Sequence, residues 1–269
     1  IGYKSTNTIL LANIGAGAGA TFGALVVSPA SGTYPSVVTY FQQRLVFGGS
    51  TNSPSTLWTS KTGQFKNFDS SNPVLDNDAI TATLVSQQVN AIKHLVSMPS
   101  GMIALTSNGA WLVSGGGTNQ PITPANIIAT PQAFEGCSDL PPIVVSYDIL
   151  YGSEKGNTIR TIAYKFESNV FAGEDASVLA SHLFDGYTTT EWTYAEAPFK
   201  LVWACRSDGV LLSLTILRDQ QVLGWSQHNS FGTDTFTSVA SVVEGEEDAV
   251  YFVTTRTINS VATQIVERM

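Results

Sequence analysis

Charge is what this sequence has least of. Only 13% of its residues are Asp, Glu, Lys or Arg, about half the roughly 25% usual for a soluble domain. The scarcity does not come from membrane-spanning segments, because no apolar run reaches the ~18 residues that a bilayer-crossing helix needs. The nearest, Ile9 to Val27, is interrupted by Asn13, Gly15, Gly17, Gly19 and Gly23. Cysteine is scarce too. Cys137 and Cys205 are too few for a disulfide framework, and no Cys-x-x-Cys pair exists. They are read as buried thiols in a reducing compartment, or as one incidental bridge. Acidic residues are absent before Asp69, so residues 1–68 sum to +4 and the remainder to −12 within a net charge of −8. That asymmetry is read as chance in a chain with few charges. A sequence pI near 4.8 argues against nucleic-acid binding through a basic face. The chain begins at Ile1 without a charged leader, and is read as a piece of a longer protein.

Helical periodicity is also missing. With 43% hydrophobic residues over 269 positions, the chain can build a large core, yet its apolar residues recur with period two. Val37–Phe47, Met102–Val113, Ile143–Tyr151, Thr158–Phe166, Leu201–Ile216 and Ala249–Arg256 all alternate. Asn108-Gly109 and Asp208-Gly209 sit between alternating runs, the strongest local hairpin signal. Strand groups near 36–68, 90–115, 140–184, 196–227 and 236–268 recur about every 45–55 residues, the spacing of propeller blades. The expectation is an all-β protein, a β-propeller of five to six blades over residues 34–269, with a β-sandwich as the alternative. Residues 1–33, rich in Gly and Ala, are read as an extended arm or the end of a preceding domain. Residues 116–131 read as an irregular connection. Residues 174–183 read as the one short helix, with Glu174 and Asp175 near its start.

Candidate chemistry is thin. Gly15-x-Gly17-x-x-Ala20 matches a dinucleotide fingerprint in form, but no acidic residue follows at the ribose distance. His94, His182 and His228 are far apart and lack a metal spacing. No Gly-x-Ser-x-Gly elbow occurs. Glu244, Glu246, Glu247 and Asp248 surround Gly245 and read as a solvated hairpin tip rather than a cation site. Ser60–Phe65 and Ser107–Trp111 only echo the Asp-box of sialidase-type propellers. No catalytic, cofactor or metal residue is assigned, and no enzymatic activity is expected.

One long stretch is more specific. Tyr34-Pro35-Ser36 leads into Phe41-Gln-Gln-Arg44-Leu-Val-Phe-Gly-Gly, and Pro54-Ser-Thr-Leu-Trp58-Thr-Ser60 leads into Gly63-Gln-Phe65-Lys-Asn-Phe68. Later come Arg206-Ser-Asp208-Gly209, then Gln220-Gln-Val-Leu-Gly-Trp225-Ser-Gln-His228, then Arg256-Thr-Ile-Asn259 and Glu267. In this order they resemble the tail nozzle proteins of short-tailed bacteriophages, the tail tubular protein B family, across about residues 34–268. Two positions depart from the pattern: Ser260 replaces a glycine after Asn259, and Gly49-Ser50 replaces Gly-Thr.

The resemblance implies a structural virion component, assembled in the bacterial cytoplasm and placed in the virion tail. There it would form a ring, hexameric in the virion, around the DNA exit channel. The implied partners are copies of itself, the tail adaptor, and fibre or spike proteins, with genome DNA passing through unbound by sequence. Arg44, Trp58, Trp111, Arg206, Asp208, Gly209 and Trp225 are the motif residues. Arg44 is expected to pair with a carboxylate or cap carbonyls between blades, and Trp58, Trp111 and Trp225 to pack between neighbouring blades. A carbohydrate-binding or glycan-processing propeller is the alternative, expected to show exposed Trp or Tyr beside two carboxylates. A cellular propeller serving as a protein-interaction platform is a third reading.

Overall fold

The computed structural model describes residues 31–269 apart from 87–89, 118–119, 167–169, 218–219, 221, 231 and 233. The Gly/Ala-rich segment up to residue 30 and the second residue of the Gln220–His228 motif lie outside the described residues. Nineteen strands are named among those described, and they group strictly in chain order. Sheet 1 holds β1 (Val37–Phe41), β2 (Arg44–Gly48), β3 (Thr56–Thr59) and β4 (Ile80–Thr83). Sheet 2 holds β5 (Ile92–Met98), β6 (Gly101–Thr106), β7 (Gly109–Ser114) and β8 (Ile128–Ala133). Sheet 3 holds β9 (Ile143–Val145), β10 (Asp148–Gly152), β11 (Ile159–Lys165) and β12 (Val170–Asp175). Sheet 4 holds β13 (Thr189–Ala195), β14 (Leu201–Arg206), β15 (Leu211–Leu217) and β16 (Val222–His228). Sheet 5 has three strands, β17 (Thr235–Glu244), β18 (Glu247–Ile258) and β19 (Val261–Arg268). Every pairing between named strands is antiparallel and joins chain neighbours. The fold is an all-β propeller with five blade-like sheets.

The alternation decides how the sheets stack. Successive side chains point to opposite faces, and here both faces are apolar in the middle strands. In sheet 2, Met102, Ala104, Trp111 and Val113 join a core with Val46, Leu57 and Ile80 of sheet 1. The intervening Ile103, Leu105 and Ala110 join a core with Ile149, Tyr151 and Ile162 of sheet 3. Sheet 3 turns Leu150 and Ile159 towards Val202, Ala204, Leu212 and Leu214 of sheet 4. Sheet 4 turns Trp203, Cys205 and Leu211 towards Val239, Val250 and Phe252 of sheet 5. Each fully buried Leu or Ile contributes roughly 1.5–3 kcal/mol, so the cores between sheets hold the stack together. First strands meet first strands, β1 on β5, β9 on β13 and β13 on β17.

Several local expectations need correction. The 116–131 connection ends in a strand, because β8 begins at Ile128 and pairs with β7. The short helix is a 3₁₀ segment, Val178–Leu183, broken at Ala180, whose backbone is not helical. Glu174 and Asp175 lie in β12, so no dipole argument applies to them. Asp175 instead accepts hydrogen bonds from the Ser177 amide (2.8 Å) and hydroxyl (2.6 Å). The β6–β7 turn is Ser107-Asn108, with Gly109 already in the strand and paired to Thr106. Gly109 is needed for closeness rather than for its backbone angles, since a Cβ there would lie 2.4 Å from the Ala133 carbonyl oxygen.

Two hairpin turns lack glycine where the backbone favours it. Gln42 and Gln43 join β1 to β2 with φ of 45° and 59°, and Asn259 and Ser260 join β18 to β19 with φ of 50° and 65°. Positive φ at both central residues defines the type I′ turn that matches strand twist. Gln42 is held there by its side-chain oxygen, which accepts from the Ile122 amide at 2.8 Å. The Asn259-Ser260 turn thus keeps its geometry despite the missing glycine. A left-handed backbone costs an ordinary residue about 1–2 kcal/mol, partly offset by the unfolded-state entropy of glycine. Ser260→Gly is therefore expected to stabilise the chain by about 0.5–1 kcal/mol, read as a higher urea midpoint. An unchanged or lower midpoint would contradict the strain assigned to Ser260.

Candidate functional site

The motif residues are distributed along the propeller, and most of them tie chain segments together. Arg44 opens β2 and is 2% exposed. Its guanidinium donates to the carbonyls of Ser60 (2.8 Å), Asp78 (2.6 Å) and Asp76 (2.9 Å). It caps carbonyls, as one expectation had it, but within sheet 1 and the 60–79 loop rather than between blades. The Asp78 carboxylate, also buried, is taken by Lys61 at 2.7 Å, the Ser71 amide and hydroxyl, and the Leu75 amide. The Leu75 and Ser71 donors and Lys61 hold Asp78 well below the usual carboxylate range, against the cost of its burial. Burial lowers Arg44, and the nearby Asp78 charge opposes that shift.

Arg206 ends β14 and plays the corresponding part in sheet 4. Its Nε and Nη2 grip both oxygens of Asp208 at 2.8 and 2.7 Å. Its Nη1 donates to the Leu183 carbonyl at 2.7 Å, and its head lies 4.1 Å from the Tyr187 ring centroid. One side chain thus joins the β14–β15 hairpin to the 3₁₀ segment and the loop after it. Hydrogen bonding to Asp208 raises Arg206, and the same fork lowers Asp208. Gly209 has φ of 85°, and a Cβ there would lie 2.4 Å from that of Thr235. Its carbonyl accepts from the Phe236 amide at 2.8 Å, which docks this hairpin on β17.

The tryptophans divide. Trp111 is 8% exposed and lies in the core between sheets 1 and 2. Trp225 packs on the core between sheets 3 and 4, donates to the Ala176 carbonyl at 2.9 Å and meets the Phe184 ring edge-on at 4.9 Å. Trp58 is not between described blades. It neighbours the inward Leu57 along β3, so it faces away from sheet 2, beside its cross-strand partner Phe47. Phe47 is stacked on Phe68 at 5.6 Å.

The other sequence candidates do not converge. The acidic residues near Gly245 sit at the β17–β18 turn, but two of them point to separate partners. Asp248 accepts from the amides of Glu196 (2.6 Å) and Ala197 (3.0 Å), while Glu244 binds the Tyr251 hydroxyl and Arg268. Among the described residues no group of three His, Cys, Asp or Glu side chains could hold a metal ion. His94 contacts the Ser138 carbonyl at 3.2 Å, and His228 the Ser213 hydroxyl at 2.8 Å. Burial holds both below the ordinary histidine value. Cys137 and Cys205 are free, buried in different cores, and pushed up to about 12 by desolvation. That rules out the incidental bridge.

Sequence reading missed a cleft between two of the sheets. Between sheets 2 and 3 lies a space of about 910 Å³ whose walls include Met98, Ile128, Gln132, Tyr147, Asp148, Tyr164 and Phe171. Tyr164 and Phe171 meet edge-on at 5.5 Å, and Tyr147 stands in the β9–β10 turn. Only strand pairing brings these residues together. Asp148 is the one carboxylate among the described lining residues.

No protein-family model matches the chain, and no curated protein matches it. Among solved structures, it is similar to the β-propeller domain of Myceliophteria thermophila Cps50 (Swd1). The identity is 8% and the TM-score 0.43, over 84% of this chain and 69% of that one. It is also similar to the WD40 domain of Neurospora crassa Pan2, with 12% identity and a TM-score of 0.42, over 87% of this chain and 61% of that one.

Three outcomes are expected. Arg44→Met leaves three carbonyls short of a donor, at about 1–3 kcal/mol for each group that water cannot reach. Its urea midpoint should fall by the equivalent of roughly 3 kcal/mol or more; a loss below about 1 kcal/mol would show that water replaces the guanidinium. A thiol reagent should label neither cysteine in the native chain and both in denaturant; native labelling of either would contradict its burial. For His94 and His228 the folded value lies below the unfolded one, so the unfolded chain binds more protons between the two. Stability should fall as pH drops through 6.5, the ordinary histidine value. The double variant His94→Gln, His228→Gln should flatten that slope between pH 7 and 5, and an undiminished slope would assign it to other groups.

Proposed function

We propose that this chain is a structural component of a short-tailed phage tail nozzle, a ring protein around the DNA exit channel with no reaction of its own. The observation that carries the reading is the use made of the ordered motif series. Arg44 ties sheet 1 to its long loop. Arg206 and Asp208 brace the 3₁₀ segment, and Gly209 seats its hairpin on sheet 5. Trp111 and Trp225 fill the cores between sheets. A motif selected for shape rather than chemistry distributes itself this way. Self-association into a hexameric ring, contact with adaptor and fibre or spike proteins, and a place in the virion tail belong to the same proposal.

Immunogold electron microscopy of tailed phage from the source material tests it, with antibody raised against this chain. Label clustered at the tail tip is the expected result, and label absent from every virion would overturn the reading. A second reading rests on the cleft with Tyr147 and Tyr164, whose rings could stack on a sugar. It predicts saturable binding on a glycan panel, lost in the double variant Tyr147→Ala, Tyr164→Ala. A panel without hits would dismiss it.

A further inference from the structure

Tyr147 lines two clefts at once. It stands on a wall of the cleft between sheets 2 and 3, and on a second cleft of about 280 Å³ between sheets 3 and 4. Asp148 is shared in the same way. The second cleft is walled by Val145 of β9, by Ile216 and Leu217 of β15, and by Lys200 just before β14. Both clefts open at the same end of the sheets. Where hairpins join antiparallel strands, the first and third strands end where the second and fourth begin. Ser114 ends β7, Ile128 opens β8, Tyr164 is next to last in β11, Leu217 ends β15, and Tyr147 lies in the β9–β10 turn. The clefts therefore lie side by side on one face, with Tyr147 as the ridge between them. The ridge is a tight turn, Ser146-Tyr147, closed by the pairing of Val145 with Asp148.

The walls are amphipathic and nearly uncharged. The rings of Tyr147 and Tyr164 are 73% and 49% exposed. With them stand the hydroxyls of Ser100, Ser114 and Thr130 and the side chain of Gln132, whose Oε1 accepts from the Phe171 amide at 2.8 Å. A pyranose has the matching surface. Its C–H face lies on an aromatic ring, and its rim of hydroxyls exchanges hydrogen bonds with hydroxyls and amides. A wholly apolar partner would leave those wall groups without partners. An acidic ligand would meet Asp148 in the larger cleft with no Lys or Arg among the described lining residues. We propose that the two clefts form one groove for a linear, uncharged oligosaccharide, laid across Tyr147 with sugar units on both sides. The inference rests on the sugar reading of the larger cleft, and adds that the ligand is a stretch of chain rather than a single sugar. It is independent of the nozzle reading.

Titration calorimetry on the full chain tests it. The probes are glucose and N-acetylglucosamine, then oligomers of increasing length derived from starch, cellulose and chitin. A proline-rich peptide is the competing occupant, since aromatic-lined grooves also take polyproline helices. Units on the two sides of the ridge are tied by the chain, so the second binds as an intramolecular event. Affinity is expected to rise about tenfold or more with length, and to level off once the oligomer spans both clefts. Lys200 and Leu217 are partly exposed and line only the smaller cleft of the two. The double variant Lys200→Ala, Leu217→Ala should return long oligomers to the affinity of short ones and leave the short ones unchanged. Affinity independent of length would overturn the proposal and leave a sugar site in the larger cleft. A rise with length that the double variant does not touch would overturn it in the same way. No binding by any oligomer would overturn it together with the sugar reading, and a peptide that binds in their place would assign the groove to a protein partner.

Discussion

The propeller depends on one constraint: a sheet whose middle strands are apolar on both faces must be covered on both. β6 is buried at every position, and so are most of β14 and β15. Such strands cannot face water as the outer leaf of a sandwich does. Each sheet is therefore driven between two neighbours, and the alternation Met102, Ile103, Ala104, Leu105 sends side chains into two cores in turn. The scarcity of charge follows, because a chain folded into stacked sheets has few positions where an ion keeps its water.

The charges that remain inside are spent on irregular backbone. Loops of a propeller must leave one sheet and enter the next, and their carbonyls lose ladder partners as they do so. Arg44 supplies donors to three of them, and Arg206 supplies one while held in a fork by Asp208. Guanidinium suits this work because its several donors diverge in a plane and it stays charged when desolvated. Asp78 is the complement, a carboxylate that gathers two backbone amides, a hydroxyl and Lys61.

Stacking also creates the spaces between sheets. Sheets 2 and 3 pack closely at Ile103, Leu105, Ile149 and Ile162, yet diverge around Tyr147 and Tyr164 and leave the cleft. At the far end, sheet 5 covers sheet 4 with Val239, Val250 and Phe252 but has no fourth strand of its own among the described residues. The clefts and the open edge are consequences of the packing, and they are where the molecule has surface to offer.

Period-two patterning and the recurrence of strand groups determined by themselves that the protein is a chain of antiparallel hairpins, since β geometry is written residue by residue along the strand. Asp208-Gly209 was readable as a turn because the positive φ it needs is a local property. Gln42-Gln43 was not, because its backbone is supported from a distant loop through Ile122. β8 was hidden behind Pro131 and a glycine-rich run, and is held by its pairing to β7. Trp58 and Trp111 look alike in sequence and were separated only by which face of their strand met another sheet. The same holds for Asp78, whose burial beside Lys61 and Arg44 spans 34 residues of chain, and for the cleft tyrosines. Local conformation is fixed by near neighbours in sequence. Which groups meet across sheets depends on the stacking order, and that exists only once the chain has folded.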